Sequence, residues 1–187
     1  SELYNKNILI VGFGRIGKEL AIRCKAFKMN VIIFDPYVSD AEILQHKVRK
    51  INDIEQGLKE ADYVSVHMPL NKETQNIINI KNLKEMKSNS FIINTSRGGI
   101  INENDLNTAL NEDIIAGAGL DVFADEPPNK NNPLLKNPKV ILSPHIASHT
   151  NECWERHGKE TIKNIFDFFN KSLDPKAIVN KDSIKLK

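Results

Sequence analysis

Cysteine is scarce. The 187-residue chain has two, Cys24 and Cys153, far apart and in no CxxC pair. That spacing offers neither a disulfide framework nor a zinc cage, and the expected compartment is a reducing cytoplasm. An excess of one charge is lacking too. Lys and Arg number 26 against 24 Asp and Glu, a formal +2. This excludes a strongly basic nucleic-acid footprint and a polyacidic disordered tail. No apolar run approaches the roughly 20 residues of a membrane helix. The opening SELYNKN has no basic segment followed by an apolar one, so no secretory signal is expected. Low-complexity tracts, internal repeats and Gly/Ser linkers are also missing, so no internal domain boundary is expected. What remains is an ordinary globular composition, 40% hydrophobic and 27% charged. At this length folding buries roughly 70% of the extended chain's surface, enough for a core without staples. The length predicts one domain, or one with a short appendage.

Apolar runs of strand length alternate with amphipathic stretches of helix length. Asn7–Val11, Val31–Phe34, Tyr63–His67, Phe91–Asn94 and Val140–Leu142 read as strands, with Lys47–Ile51 a weak one and another inside Ile114–Val122. Helices are expected over Lys18–Phe27, Asp40–His46, Asn52–Ala61, Lys81–Lys87, Asn102–Leu110 and Thr150–Asn170. Ile16, Leu20, Cys24 and Phe27 recur at helical spacing and predict the buried face of the first helix. Ile165, Phe166, Phe168 and Phe169 form a core face or an exposed patch at a subunit contact, and the core is preferred. Asp125–Pro138 is a Pro/Asn-rich loop, and Lys171–Lys187 is a polar tail. Strand–helix alternation in units of about 30 residues predicts an α/β fold, a doubly wound parallel sheet in three layers.

Gly12-Phe13-Gly14-Arg15-Ile16-Gly17 has the spacing G-x-G-x-x-G between an expected strand and an expected helix. The first glycine permits a tight turn, the second lets a diphosphate approach, and the third lets helix and strand pack. Asp35 ends the second strand, where a carboxylate accepts hydrogen bonds from a ribose and repels a 2′-phosphate; no arginine neighbours it, so NAD is expected rather than NADP. Arg97 follows a strand in Asn94-Thr95-Ser96-Arg97-Gly98-Gly99, where a guanidinium can clamp a carboxylate or make a surface salt bridge. Glu126 and His145 also follow strand-like runs. A His beside a carboxylate has its pKa raised and can donate a proton near neutrality, and each residue alone equally fits a loop with a local hydrogen bond. Pro144 and its loop context argue against a helix that would align His145 and His149, and no acidic or cysteine ligand sits at metal spacing beside them or His157, so no metal is expected.

Taken in order, the glycine loop, Asp35, HMPL at 67–70, NTSRGG at 94–99, GLDVFADEPP at 119–128 and SPHIASHT at 143–150 resemble the nucleotide-binding domain of the D-isomer-specific 2-hydroxyacid dehydrogenases. That family includes phosphoglycerate dehydrogenase-like, D-lactate and hydroxypyruvate/glyoxylate enzymes. The resemblance implies a Rossmann-type oxidoreductase that moves hydride between NAD and a D-2-hydroxy or 2-keto acid. It implies that Arg97 orients the substrate, His145 is the acid/base and Glu126 is its partner. Gly12, Gly14, Arg15, Ile16 and Gly17 would cradle the diphosphate, with Asp35 on the ribose. Met68, Pro69 and Thr74 would line the adenine and ribose side, and Thr95 and Asp121 the nicotinamide end, with His145 also beside the cofactor. Glu126 itself argues against the formate dehydrogenase branch, which carries glutamine there. The family pairs through this domain, so a homodimer is expected, with a small acid as substrate and neither nucleic acid nor membrane as partner.

Residues 1–170 are then expected to be the NAD-binding domain and 171–187 a tail from the substrate domain. The N-terminal half of that substrate domain is expected to be absent. Two alternatives stay open on the residues: an isolated NAD(H)-binding module, and a dinucleotide-sensing corepressor or scaffold without turnover.

Overall fold

Asn7–Val11 forms strand β1, and its side chains alternate between two separate cores. Leu9 and Val11 enter one, Ile8 and Ile10 the other. A strand buried on both faces belongs in a parallel sheet between two helical layers. The computed structural model, which describes residues 2–180, contains that sheet. Its other strands are β2 (Asn30–Phe34), β3 (Arg49–Ile51), β4 (Tyr63–Val66), β5 (Phe91–Asn94), β6 (Gly117–Leu120) and β7 (Val140–Leu142). All pairs are parallel, in the order β3-β2-β1-β4-β5-β6-β7. The order reverses between β1 and β4, and the crevice outside the carboxyl ends of those strands is where such sheets bind ligands.

The helices are α1 (Arg15–Ala26), α2 (Asp40–Gln45), α3 (Ile54–Glu60), α4 (Ile80–Glu85), α5 (Glu103–Asn111) and α6 (Asn151–Phe169). Ala21 and Cys24 of α1 and Ile43 of α2 share the core of Ile8 and Ile10. Leu58 of α3, Leu83 of α4 and Leu106 of α5 share that of Leu9 and Val11. This is the expected three-layered, doubly wound Rossmann-type arrangement. Within the expected loop after β6, Pro133–Lys136 makes a 3₁₀ turn started by the Asn132 side chain, which accepts the Leu134 N–H at 3.1 Å.

One expected face is corrected. Ile16 and Phe27 are exposed, and α1 buries Gly17, Ala21 and Cys24. A Cβ added at Gly17 would overlap the Gly12 carbonyl oxygen and lie 3.3 Å from the Ile10 side chain. The helix packs so close to β1 that only small residues fit between them.

By packing, the chain divides after His145 into residues 2–145, which hold the sheet and α1–α5, and residues 146–180, which hold α6. In the second unit Thr150 caps α6 by accepting the Cys153 N–H at 3.1 Å, and the His149 ring packs 5.0 Å from Trp154. Ile165, Phe166, Phe168 and Phe169, preferred as a core face, are all exposed. One helix and a short turn have no second layer against which to bury an apolar stripe. Among the described residues no helix is long and apolar enough to cross a membrane. Residues 181–187 of the expected tail lie outside the described residues.

Candidate functional site

The three loop glycines differ in what surrounds them. Gly12 sits at φ +99°, a backbone conformation that disfavours side chains, and a Cβ there would lie 2.8 Å from the His67 carbonyl. Gly17 is closed off by Gly12 itself. At Gly14 a Cβ would meet nothing within 4 Å. The first and third glycines are therefore demanded by the protein's own backbone, while the second faces open space.

Gly14 is also the N-cap of α1, without a side-chain cap and with no acidic residue in the first turn. The other described α-helices take side-chain caps from Ser39, Asp53, Asn79, Asn102 and Thr150. Only α1 among them leaves its first N–H groups and positive pole to an external anion. Arg15 and Ile16 are exposed on this loop. Asp35 stands beside it: Oδ2 accepts the Phe13 N–H at 2.7 Å, and Oδ1 accepts those of Tyr37 and Val38 at 2.8 and 3.1 Å. Open space before Gly14, uncapped amides and a carboxylate at the end of β2 fit a dinucleotide's diphosphate and adenosine ribose.

Next along the sheet, a crevice of about 270 Å³ gathers Ile16, Met68, Pro69, Thr95 and Arg97. Thr74 is not among its lining residues. It is buried, its Oγ1 donating to the Pro69 carbonyl at 2.6 Å and accepting the Asn71 N–H at 2.8 Å. It braces the turn that carries Pro69. The Asn94 side chain shapes the Arg97 loop, accepting the Ser96 N–H at 3.0 Å and donating to the Arg97 carbonyl at 2.8 Å. Arg97 is exposed, with Nη1 donating to the Ser96 carbonyl at 2.6 Å. A Cβ at Gly98 would overlap the Phe123–Ala124 peptide, so this loop lies directly on the one after β6.

That neighbouring loop and the end of β7 enclose a cavity of about 400 Å³, lined by Asp121, Glu126, Ser143 and His145 together with apolar side chains. His145 Nδ1 lies 2.7 Å from Glu126 Oε2. The His145 backbone is left-handed at φ +56°, and its N–H donates to the Asp121 carbonyl at 2.7 Å. A non-glycine residue in this region is costly and persists only where its surroundings hold it. The hydrogen bond to His145 holds the Glu126 carboxyl below its ordinary value, against desolvation, with help from the Phe123 N–H and the positive charges of His145 and Arg97. The Asp121 carboxylate is buried and accepts the Ser143 hydroxyl at 2.5 Å.

Several residues here were missed from sequence. Ser65 and His67 pair through Oγ and Nε2 at 2.8 Å, and burial pushes the His67 imidazole below its ordinary value. Their signal was available, since residues two apart on a strand share a face. Ser143 lies two residues before His145. Glu103 accepts the Ala124 N–H at 2.6 Å and the Asn132 amide at 2.7 Å, tethering the loop after β6 to α5. No sequence pattern marked that tether.

Comparison with known proteins agrees with the geometry. Residues 1–147 match the family described as "D-isomer specific 2-hydroxyacid dehydrogenase, NAD binding domain". The glyoxylate reductase of Thermococcus litoralis is 44% identical over 180 residues, covering 96% of this chain and 54% of that protein. The D-3-phosphoglycerate dehydrogenase of Methanocaldococcus jannaschii is 41% identical over 167 residues, 88% of this chain and 32% of that protein. A crystal structure of the NAD-complexed D-isomer specific 2-hydroxyacid dehydrogenase from Lactobacillus delbrueckii ssp. bulgaricus matches with a TM-score of 0.86 at 33% identity, over 96% of this chain and 58% of that one. The chain thus spans about half the length of the glyoxylate reductase and about a third of the phosphoglycerate dehydrogenase. Because the family match covers the whole sheet-bearing unit, the chain belongs to the D-isomer specific 2-hydroxyacid dehydrogenases and carries their NAD-binding domain.

Proposed function

We propose that this chain is the NAD-binding part of an oxidoreductase that interconverts a D-2-hydroxy acid and its 2-keto acid. The single observation that carries this is the 2.7 Å contact between His145 Nδ1 and Glu126 Oε2 in a cavity at the carboxyl end of the sheet. Reducing a ketone requires a proton at the carbonyl oxygen, and oxidising the alcohol requires its removal. Glu126 occupies Nδ1, fixes the ring and leaves Nε2 for the substrate oxygen. Arg97 supplies a guanidinium for the carboxylate and carbonyl oxygens. NAD(H), when bound, accepts or supplies the hydride at its nicotinamide.

Gly12, Gly14, Arg15, Ile16 and Gly17 take the diphosphate in this reading, Asp35 the ribose, and Met68 and Pro69 the adenine side, with Thr74 as brace. Thr95 and Asp121 take the nicotinamide end. Residues 1–170 act as the NAD-binding domain and 171–187 as the return toward a substrate-binding part, which accords with the greater length of the relatives. The substrate is a small 2-keto acid of the glyoxylate or phosphoglycerate-derived kind, in keeping with the named relatives. A cytoplasmic setting fits the two free cysteines, and a homodimer follows from the family's pairing through this domain.

The test has two arms. Fluorescence titration should show NADH binding to this chain. In the full-length polypeptide, His145→Ala should lower turnover of 2-keto acids by about 10²–10⁴-fold while NADH binding is kept. Undiminished turnover would overturn the assignment.

A further inference from the structure

We propose that Tyr37 and Glu73 join Asp35 in an anionic clasp at the adenosine end, which excludes a 2′-phosphorylated ribose. The inference rests on the reading of Asp35 as the ribose ligand. The Tyr37 hydroxyl donates to Glu73 Oε2 at 2.5 Å. Tyr37 follows β2 and Glu73 follows β4, the two strands that flank β1 and its glycine loop. The bond therefore links the two sides of the crevice in which the loop lies. Each end is anchored. The Tyr37 N–H is held by Asp35 Oδ1 at 2.8 Å. The Glu73 N–H donates to Asn71 Oδ1 at 2.8 Å, in the turn braced by Thr74.

Much of the acceptor capacity of Asp35 is already used by backbone N–H groups, whereas that of Glu73 is not. A carboxylate has about four lone-pair sites, and the N–H groups of Phe13, Tyr37 and Val38 fill three of those on Asp35. About one is left for a ribose hydroxyl. Glu73 has one hydrogen-bond donor, the Tyr37 hydroxyl, and keeps the rest. The negative charges of Glu73 and Asp35 both act on that hydroxyl, so the two carboxylates lie within electrostatic reach of one point. Neither is in an ion pair among the described residues, so a 2′-phosphate would meet the charge of both.

Fluorescence titration of this chain with NADH and NADPH tests the clasp in the unmodified protein, Glu73→Gln and Tyr37→Phe. The unmodified chain should favour NADH. Glu73→Gln should narrow the NADH-over-NADPH ratio about fivefold, the value of one charge pair near 4 Å in water, and the effect should fade in high salt. Tyr37→Phe should narrow it less, because Glu73 keeps its charge. A general structural loss would weaken both nucleotides equally, so an unchanged ratio in Glu73→Gln, with NADH preference intact in the parent, sinks the clasp alone. No NADH preference in the parent would overturn the Asp35 reading and the clasp with it.

Discussion

Asp35 Oδ2 accepts the Phe13 N–H at 2.7 Å, tying the end of β2 to the middle of the glycine loop. Asp35→Ala would leave the Phe13, Tyr37 and Val38 N–H groups without this acceptor. Losing such partners costs about 2 kcal/mol, a fall in Tm of roughly 6 °C for a chain of this size. Asp35→Asn keeps one acceptor oxygen and should lose about half as much. Thermal melts of the two variants without nucleotide check this. An unchanged Tm in Asp35→Ala would show that the loop is held by other means.

Gly14 and Gly17 separate binding from folding. A Cβ at Gly14 meets nothing within 4 Å, and its φ of −74° suits any residue. Gly14→Ala should therefore melt within about 0.5 kcal/mol of the parent yet bind NADH at least tenfold more weakly, because the methyl group stands where the diphosphate must approach. Gly17→Ala drives a methyl group into the Gly12 carbonyl and should cost about 1–3 kcal/mol. The two melts with one NADH titration decide it, and equal losses of stability would refute the distinction.

The Glu126–His145 pair gives a pH signature on the acid side. Glu126 is held below its ordinary value chiefly by His145, so the folded state keeps this carboxylate charged where the unfolded chain begins to protonate it. The pair's contribution is full above the unfolded value of about 4.3 and is lost as pH falls through the lower, folded value. The stability gap between the parent and Glu126→Gln should close as pH falls through the acid range. Carboxyl NMR offers a direct check, because in His145→Ala the Glu126 titration should move up toward its ordinary value.

How much of this was legible in the sequence depended on distance along the chain. The apolar run of β1, the glycine spacing and Asp35 are local features, and the structure places them as expected. The buried face of α1 was misread because periodicity weighs large apolar side chains, whereas close packing on β1 selects Gly17 and Ala21 and turns Ile16 outward. Thr74 is buried with its hydroxyl donating to the Pro69 carbonyl five residues back, a bracing contact that residue type alone does not reveal. Glu126 and His145 lie 19 residues apart on different loops, and no propensity rule brings them together. The family resemblance suggested the pairing, which the sheet order makes geometrically possible by setting β6 beside β7. The aromatic stripe of α6 shows the opposite limit: helical spacing reveals an apolar face without revealing what covers it.

His67 should make stability depend on pH nearer neutrality, with a different partner and a different window. Burial holds its imidazole below the ordinary value, and Ser65 Oγ lies 2.8 Å from Nε2. As pH falls through the unfolded value of about 6.5, the unfolded chain takes up a proton that the folded chain still refuses. Stability therefore drops from that point until the folded value is passed, and levels off below it. A charged His67 would also stand in the same crevice as the Arg97 guanidinium, which adds to the cost. His67→Asn removes the titration, so the Tm gap between the parent and this variant should shrink between about pH 8 and about pH 5. A gap that stays constant over that range would show that the imidazole is not kept neutral by its burial.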